Sequence, residues 1–263
     1  MESARPRQHQ ARKRFGQHFL RDRNIIKKIL LAIDPRPDDF LVEIGPGMGA
    51  LTLPLLERCG TLTAVELDRD VIPKLQAAAL DKGDLHIIQA DALKTNFRAL
   101  APPGRKLRLV GNLPYNISTP LLFHCLDQMD VIADMHFMLQ KEVVQRMAAQ
   151  PGGKDYGRLT VMLSVRCRVQ PLLSIGAGAF TPPPKVESAF VRLIPHAQAP
   201  FQLADPVRFT ALVNQAFSRR RKTLRNALMG LADESAIRRA GLDPAARPET
   251  LSAADYARLA DGV

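Results

Sequence analysis

Asn112-Leu113-Pro114-Tyr115 is the segment of this 263-residue chain whose residue types promise the most specific chemistry. The exocyclic nitrogen of adenine is a poor nucleophile because its lone pair is delocalised into the ring. A site that alkylates it has to accept hydrogen bonds from both of its N–H groups and draw the nitrogen toward tetrahedral geometry. The side-chain oxygen of Asn112 and the carbonyl of Leu113, held by Pro114, offer two such acceptors, and Tyr115 offers a face on which an extruded base stacks. The plain structural alternative, for Asn-x-Pro taken alone, is a Pro-containing turn after a strand.

Upstream, Glu43-Ile44-Gly45-Pro46-Gly47-Met48-Gly49-Ala50 follows a short apolar run and precedes a helical one, and Glu66 closes the next run. Gly45 and Gly47 let a ligand press against backbone that a Cβ would block. Glu66 is placed to accept hydrogen bonds from two ribose hydroxyls. Gly45-x-Gly47-x-x-Ala50 also satisfies the dinucleotide fingerprint, but a pyrophosphate needs several backbone N–H donors and Pro46 removes one from the middle of the turn. The loop therefore favours an adenosine cofactor without pyrophosphate. Asp91, followed by Ala92, ends a further apolar run. Alone it reads as a helix cap, but beside Glu66 it reads as the acceptor for an adenine amino group.

These residues need a scaffold that brings distant segments together. Apolar residues recur at helical spacing from Ile25 to Ile33, with Asp22 or Asn24 as caps. Strand-like runs at Phe40–Ile44, Thr61–Glu66, Leu85–Gln89, Leu107–Gly111 and Met135–Gln140 alternate with helical ones. That alternation predicts an α/β fold, a Rossmann-like, mostly parallel sheet covered on both faces, whose ligands sit at the carboxyl ends of the strands. Each residue named above falls at such an end. Ala177–Ser188, with Thr181-Pro182-Pro183-Pro184-Lys185, reads as a loop, and Val186–Ile194 as a late, partly antiparallel strand. Short helices from Phe209 onward predict a small α-helical C-terminal domain. The expected division is 1–198, with residues 1–24 contributing to the site, and 199–263.

The charge is uneven. The chain carries a net +11, and nine basic against two acidic side chains fall in residues 1–28. The 65 residues from 199 onward hold ten basic against seven acidic, and the middle is nearly neutral. A neutral body with basic ends suits a polyanionic partner. Arg12-Lys13-Arg14 and Arg219-Arg220-Arg221-Lys222-x-x-Arg225 are the clusters suited to phosphate, a solvated face being the alternative. No apolar run is long enough for a membrane helix. Cys59, Cys125 and Cys167 lack CxxC spacing and the histidines lack HxxxH spacing. That argues against a disulfide framework and a metal site and for a reducing, cytoplasmic compartment.

Arg14-Phe15-Gly16-Gln17-His18-Phe19-Leu20, Glu43 to Gly49, Glu66, Asp91, Asn112 to Tyr115 and Phe180-x-Pro182-Pro183-Pro184-Lys185-Val186-x-Ser188 together resemble the small-subunit (16S) ribosomal RNA adenine dimethyltransferase family. The resemblance covers roughly residues 12–230, in order. It implies an S-adenosyl-L-methionine cofactor and transfer of four methyl groups to N6 of two adjacent adenosines near the 3′ end of small-subunit rRNA. It also implies that His18 and Leu20 contact the cofactor, that Gly45 and Gly47 lie against it, and that Glu66, Asp91 and Ala92 hold its adenosine. Asn112 then lies between cofactor and base. The family often carries Asn where His18 stands, which leaves backbone or side chain open as the point of contact. Phe180 and Lys185 are expected to wall the target base, and the partner is expected to be rRNA within a partly assembled subunit, met by a monomer.

Three rival readings differ in class. A large-subunit rRNA adenine methyltransferase of the macrolide-resistance type shares Asn112 to Tyr115. A nicotinamide oxidoreductase is opposed by Pro46 and by Asn112 to Tyr115. A mainly non-catalytic ribosome-assembly factor would bind the same RNA with methylation incidental.

Overall fold

The computed structural model describes residues 18–262. Arg12, Lys13 and Arg14 lie outside them. The first described segment is β1 (Phe19–Leu20), followed by α1 (Arg23–Ile33). α1 begins where Asp22 accepts from the backbone N–H groups of Asn24 and Ile25 at 2.8 and 3.2 Å. It buries Ile29, Leu30 and Ile33.

Then come β2 (Phe40–Ile44), α2 (Thr52–Cys59), β3 (Thr61–Glu66), α3 (Ile72–Ala79) and β4 (Asp84–Gln89). α4 (Phe97–Leu100), β5 (Leu107–Asn112), α5 (Ser118–Leu126) and β6 (Ile132–Gln140) continue the alternation. The chain proceeds through α6 (Lys141–Met147), α7 (Arg158–Arg166), β7 (Cys167–Ile175), β8 (Phe180–Thr181) and β9 (Ser188–Pro195). α8 (Pro206–Ser218), α9 (Leu224–Ala227), α10 (Glu234–Arg239) and α11 (Ala253–Asp261) complete it.

The main sheet has the order β4-β3-β2-β5-β6-β9-β7. β2 pairs in parallel with β3 and β5, β3 with β4, and β5 with β6. The sequence order therefore reverses between β2 and β5, and a crevice opens beyond the carboxyl ends of strands at such a switch point. β1 and β8 form a separate antiparallel pair, Phe19 opposite Thr181 and Leu20 opposite Phe180.

Two compact units divide the chain. The first runs to Lys141 and resumes at Pro171–Arg192, and the second comprises Glu142–Gln170 and the chain from Leu193 onward. The boundary expected at 198/199 is thus corrected by a second crossing: Tyr156 and Val161 pack in one core with Phe209, Leu212, Leu224 and Tyr256. Here Phe217 lies between Tyr156 and Tyr256, at ring separations of 6.1 and 5.9 Å. The first unit's core gathers α1, α2 and the sheet, with Ile29, Leu55, Leu56, Leu62 and Val110 all inaccessible.

Candidate active site

One cavity of about 840 Å³ collects the ends of four strands. β2 leads into Gly45 and Gly47, β3 ends in Glu66, β4 leads to Asp91 and Ala92, and β5 ends in Asn112 before Leu113, Pro114 and Tyr115. His18 and Leu20 reach the same cavity from the chain's N-terminal side. Eleven of the thirteen residues expected at the cofactor or the target base therefore line it.

The loop after β2 is built without side-chain bulk and with its donors already used. Gly45 and Gly47 take φ of +67° and +54°, conformations open chiefly to glycine. A Cβ on Gly47 would meet the Phe19 ring at 3.1 Å. Gly45 N–H donates to the Val65 carbonyl at 2.9 Å and Gly49 N–H to the Pro46 carbonyl at 3.0 Å. Gly47 N–H donates to Glu66 Oε2 at 3.2 Å. With Pro46 bearing no N–H, a pyrophosphate finds few donors here, which argues against the nicotinamide reading.

The wall is acidic. Glu43, Glu66, Asp68 and Asp91 line the cavity, and Arg21 and Arg23 are the cationic residues on its lining. Burial raises the Glu66 carboxyl above its ordinary range, while the N–H groups of Asp68 and Gly47 pull it back. Glu43 is raised to about 7 by burial, with the neighbouring Thr52 opposing and Glu66 adding to the effect. An acidic, pyrophosphate-averse cradle with a glycine floor fits a cationic adenosine cofactor.

Around Asn112 three distant segments lock together. Asn112 Nδ2 donates to the His18 carbonyl at 2.9 Å, which leaves Oδ1 as the acceptor this side chain offers. His18 Nδ1 bonds the Pro182 carbonyl at 2.8 Å; a carbonyl only accepts, so Nδ1 carries the proton. The His18 ring stacks on Tyr115 with centroids 5.5 Å apart. Tyr115 shares a 2.7 Å hydroxyl bond with Ser188. Burial raises the Tyr115 phenol above its ordinary value, the Ser188 contact opposing, so the ring is neutral near pH 7. Leu113 N–H donates to the Met138 carbonyl at 3.1 Å and anchors the turn to β6.

Two residues expected at the target base lie off the cavity lining. Phe180 is only 3% exposed and packs in the core with Leu20 and Ile175. It pairs with Leu20 of β1, and Lys185 is exposed. In the second unit the basic cluster lies on the turn between α8 and α9 and not along one helix, because α8 ends at Ser218. Arg220 Nη2 donates to the Gly153 carbonyl at 3.3 Å and its Nε lies 3.8 Å from Glu249. Arg219, Arg221, Lys222 and Arg225 are at the surface of this turn and α9. Arg221 and Lys222 have no side-chain partner among the described residues.

The anchors from Pro182, Ser188 and Phe19 went unassigned in sequence. Their partners lie far along the chain, 164 residues for His18 and Pro182, and no local pattern marks such a contact. Glu43 was visible only as part of the loop motif.

The sequence matches the family described as ribosomal RNA adenine dimethylase over residues 8–263. This chain belongs to that family. Among curated relatives, the ribosomal RNA small subunit methyltransferase A of Nitrosococcus oceani is 56% identical over 254 residues, covering 95% of each chain. The protein of the same name from Pseudomonas putida is 55% identical, covering 97% of this chain and 95% of its own. Among solved structures, a dimethyladenosine transferase from Plasmodium falciparum superposes with a TM-score of 0.79 at 26% identity, over 92% of this chain and 96% of that one. The 23S rRNA methyltransferase ErmE gives 0.72 at 27%, over 93% and 98%. The Rossmann-like methyltransferase fold that the resemblance implied is the fold these solved structures share with this chain.

Proposed function

We propose that this chain transfers four methyl groups from S-adenosyl-L-methionine to N6 of two adjacent adenosines in the 3′-terminal hairpin loop of small-subunit rRNA. Its family and its curated relatives make it an S-adenosylmethionine-dependent rRNA adenine dimethyltransferase. They favour the small-subunit substrate over the large-subunit one, since relatives carrying the small-subunit name are 53–56% identical and ErmE only 27%.

The observation that carries the chemistry is the tethered amide of Asn112. With Nδ2 committed to the His18 carbonyl, Oδ1 accepts one N6–H of the target base, and the Leu113 carbonyl accepts the other. The nitrogen lone pair is thereby freed for attack. A base does not fit between two rings 5.5 Å apart, so it stacks on the face of Tyr115 away from His18. When bound, the cofactor supplies an electrophilic methyl on a sulfonium that leaves as a neutral thioether. Glu66 holds its ribose hydroxyls, Asp91 with Ala92 its adenine, and Gly45 and Gly47 admit its methionine part. His18 contributes its carbonyl to Asn112 and its ring to Tyr115. Positioning supplies most of the acceleration, and no side chain has to act as nucleophile.

Arg219, Arg221, Lys222 and Arg225 bind rRNA phosphates, joined by Arg12, Lys13 and Arg14. Lys185 flanks the entrance of the base. The substrate is a partly assembled small subunit in the cytoplasm, met by a monomer, and the protein thereby takes part in subunit biogenesis. No described helix is long and apolar enough to cross a membrane. The test is incubation of the protein and labelled cofactor with small subunits from cells lacking the modification, followed by nucleoside analysis. Dimethyladenosine in the 3′-terminal fragment, lost with Asn112→Ala, is expected. Unaltered transfer by that variant would overturn the role of Asn112.

A further inference from the structure

Glu43 sits one residue before the end of β2, is 2% exposed, and lines the cavity. Its Oε2 is sealed from solvent and has no hydrogen-bond partner. The Thr52 hydroxyl, at the start of α2, is likewise buried and makes no hydrogen bond. A buried carboxylate oxygen left without a donor is a cost that native structures rarely carry unexplained. Neighbouring strands bring no cation to this end of the sheet, since Arg108 of β5 is bound to Asp39 and Asp134 at the other. β3 brings Glu66 and, just beyond, Asp68; the turn after β4 brings Asp91; β5 brings neutral Asn112 and, after it, Tyr115. The lining part of α2 and its approach (Ala50, Leu51, Leu53, Pro54) is uncharged. The cationic side chains on the lining, Arg21 and Arg23, lie with His18 on the N-terminal segment and are exposed or partly so. The compensating charge has to come from the occupant of the cavity.

We propose that Glu43 is a specificity-determining residue that reads the charge of that occupant: as a carboxylate it favours the sulfonium cofactor over its thioether product, and it takes up a solvent proton when the sulfonium charge is lost. The proposal rests on the S-adenosylmethionine reading above. Transfer breaks the S–CH₃ bond and forms the N6–CH₃ bond; the bonding pair stays on sulfur and the N6 proton leaves to solvent. The cofactor's ammonium and carboxylate are unchanged, so one positive charge disappears from an acidic, desolvated pocket. Carboxylates left there repel one another, and Glu43, whose Oε2 is sealed from solvent with no donor, is the one that protonates most readily. Its raised pKa places that event near neutrality. Product release is then helped, because the neutral thioether no longer compensates the wall.

The experiment is titration calorimetry of the full chain with S-adenosylmethionine, with sinefungin, which keeps a positive amine at the reacting centre, and with S-adenosylhomocysteine. Measurements run between about pH 5.5 and 7, where the ligands' own ammonium groups stay protonated, in buffers of different ionisation enthalpy. Both cationic ligands are expected to release about one proton more than S-adenosylhomocysteine, and to lose affinity by up to about tenfold per pH unit toward acid. Glu43→Gln should flatten that slope and narrow the preference for cation over thioether. Equal proton counts for the three ligands in the wild type, or a slope that survives in Glu43→Gln, would overturn the proposal. Should that variant fail to fold, carboxyl ¹³C NMR of the wild type gives the same reading. One buried carboxyl should titrate near neutrality in the thioether complex and stay ionised in the sulfonium complex; identical behaviour in both contradicts the proposal. Failure of all three ligands to bind would instead remove the cofactor reading on which it stands.

Discussion

At the scale of single residues, Asn112 is held on one side and offered on the other. Asn112→Ala removes an acceptor that matters most when the nitrogen is tetrahedral, so transfer should fall by about 10²–10³-fold with an unchanged circular dichroism spectrum. Asn112→Asp keeps an oxygen toward the base but sets a second one against the His18 carbonyl, 2.9 Å from the present nitrogen. It should therefore fail as well, and activity near the wild-type level would show that the tether is dispensable. Glu66→Ala removes the ribose acceptor and strands the Gly47 N–H. Cofactor affinity should drop by about 10–100-fold, the scale of hydrogen bonds to a charged group, read by calorimetry. These positions were legible in sequence as candidates because each closes a strand-like run. The tether was not legible, since nothing near Asn112 in the chain announces that residue 18 returns to it.

At the scale of elements, the loop after β2 and the β1 strand limit each other. Gly47→Ala forces a left-handed backbone on a side chain and drives a Cβ to 3.1 Å from Phe19. A decrease of about 1–3 kcal/mol in unfolding free energy is expected, together with weaker cofactor binding. The amino ends of β5 and β6 carry a second device. Asp134 bonds Arg108 Nε at 2.9 Å and Arg192 Nη2 at 2.7 Å. Inaccessible His136 has neither ring nitrogen hydrogen-bonded. Burial holds His136 down to about 4. The unfolded chain then binds the proton first, so stability is full above about pH 6.5 and drains as pH falls toward 4. Replacing His136 with Phe, beside Phe190, should flatten melting temperature between those values; an unchanged acid slope would exclude His136 as its source. The parallel strands were readable as continuous apolar runs. β7 was not, because it is an edge strand with Pro171 inside it and exposed residues on both faces. β1 and β8 span two residues each, too few for any period to show.

At the scale of the whole molecule, a net charge of +11 and the basic cluster on the α8–α9 turn make rRNA binding salt-dependent. Arg221→Ala with Lys222→Ala should weaken binding at every sequence. It should also reduce the slope of log K against log salt by roughly 0.7–0.9 for each phosphate that the variant no longer neutralises, measured by filter binding across a salt series. An unaltered slope would place the phosphate-binding surface elsewhere. The helical unit was foreseeable from its short amphipathic segments, but its share of residues 142–170 was not, because Tyr156 and Val161 join its core from far upstream. The most direct test of the whole account is the amount and position of label delivered to unmodified small subunits at completion. The account predicts four methyl groups per subunit, on two adjacent adenosines of the 3′-terminal hairpin. Label confined to protein-free large-subunit rRNA, or none on adenine N6, would contradict it.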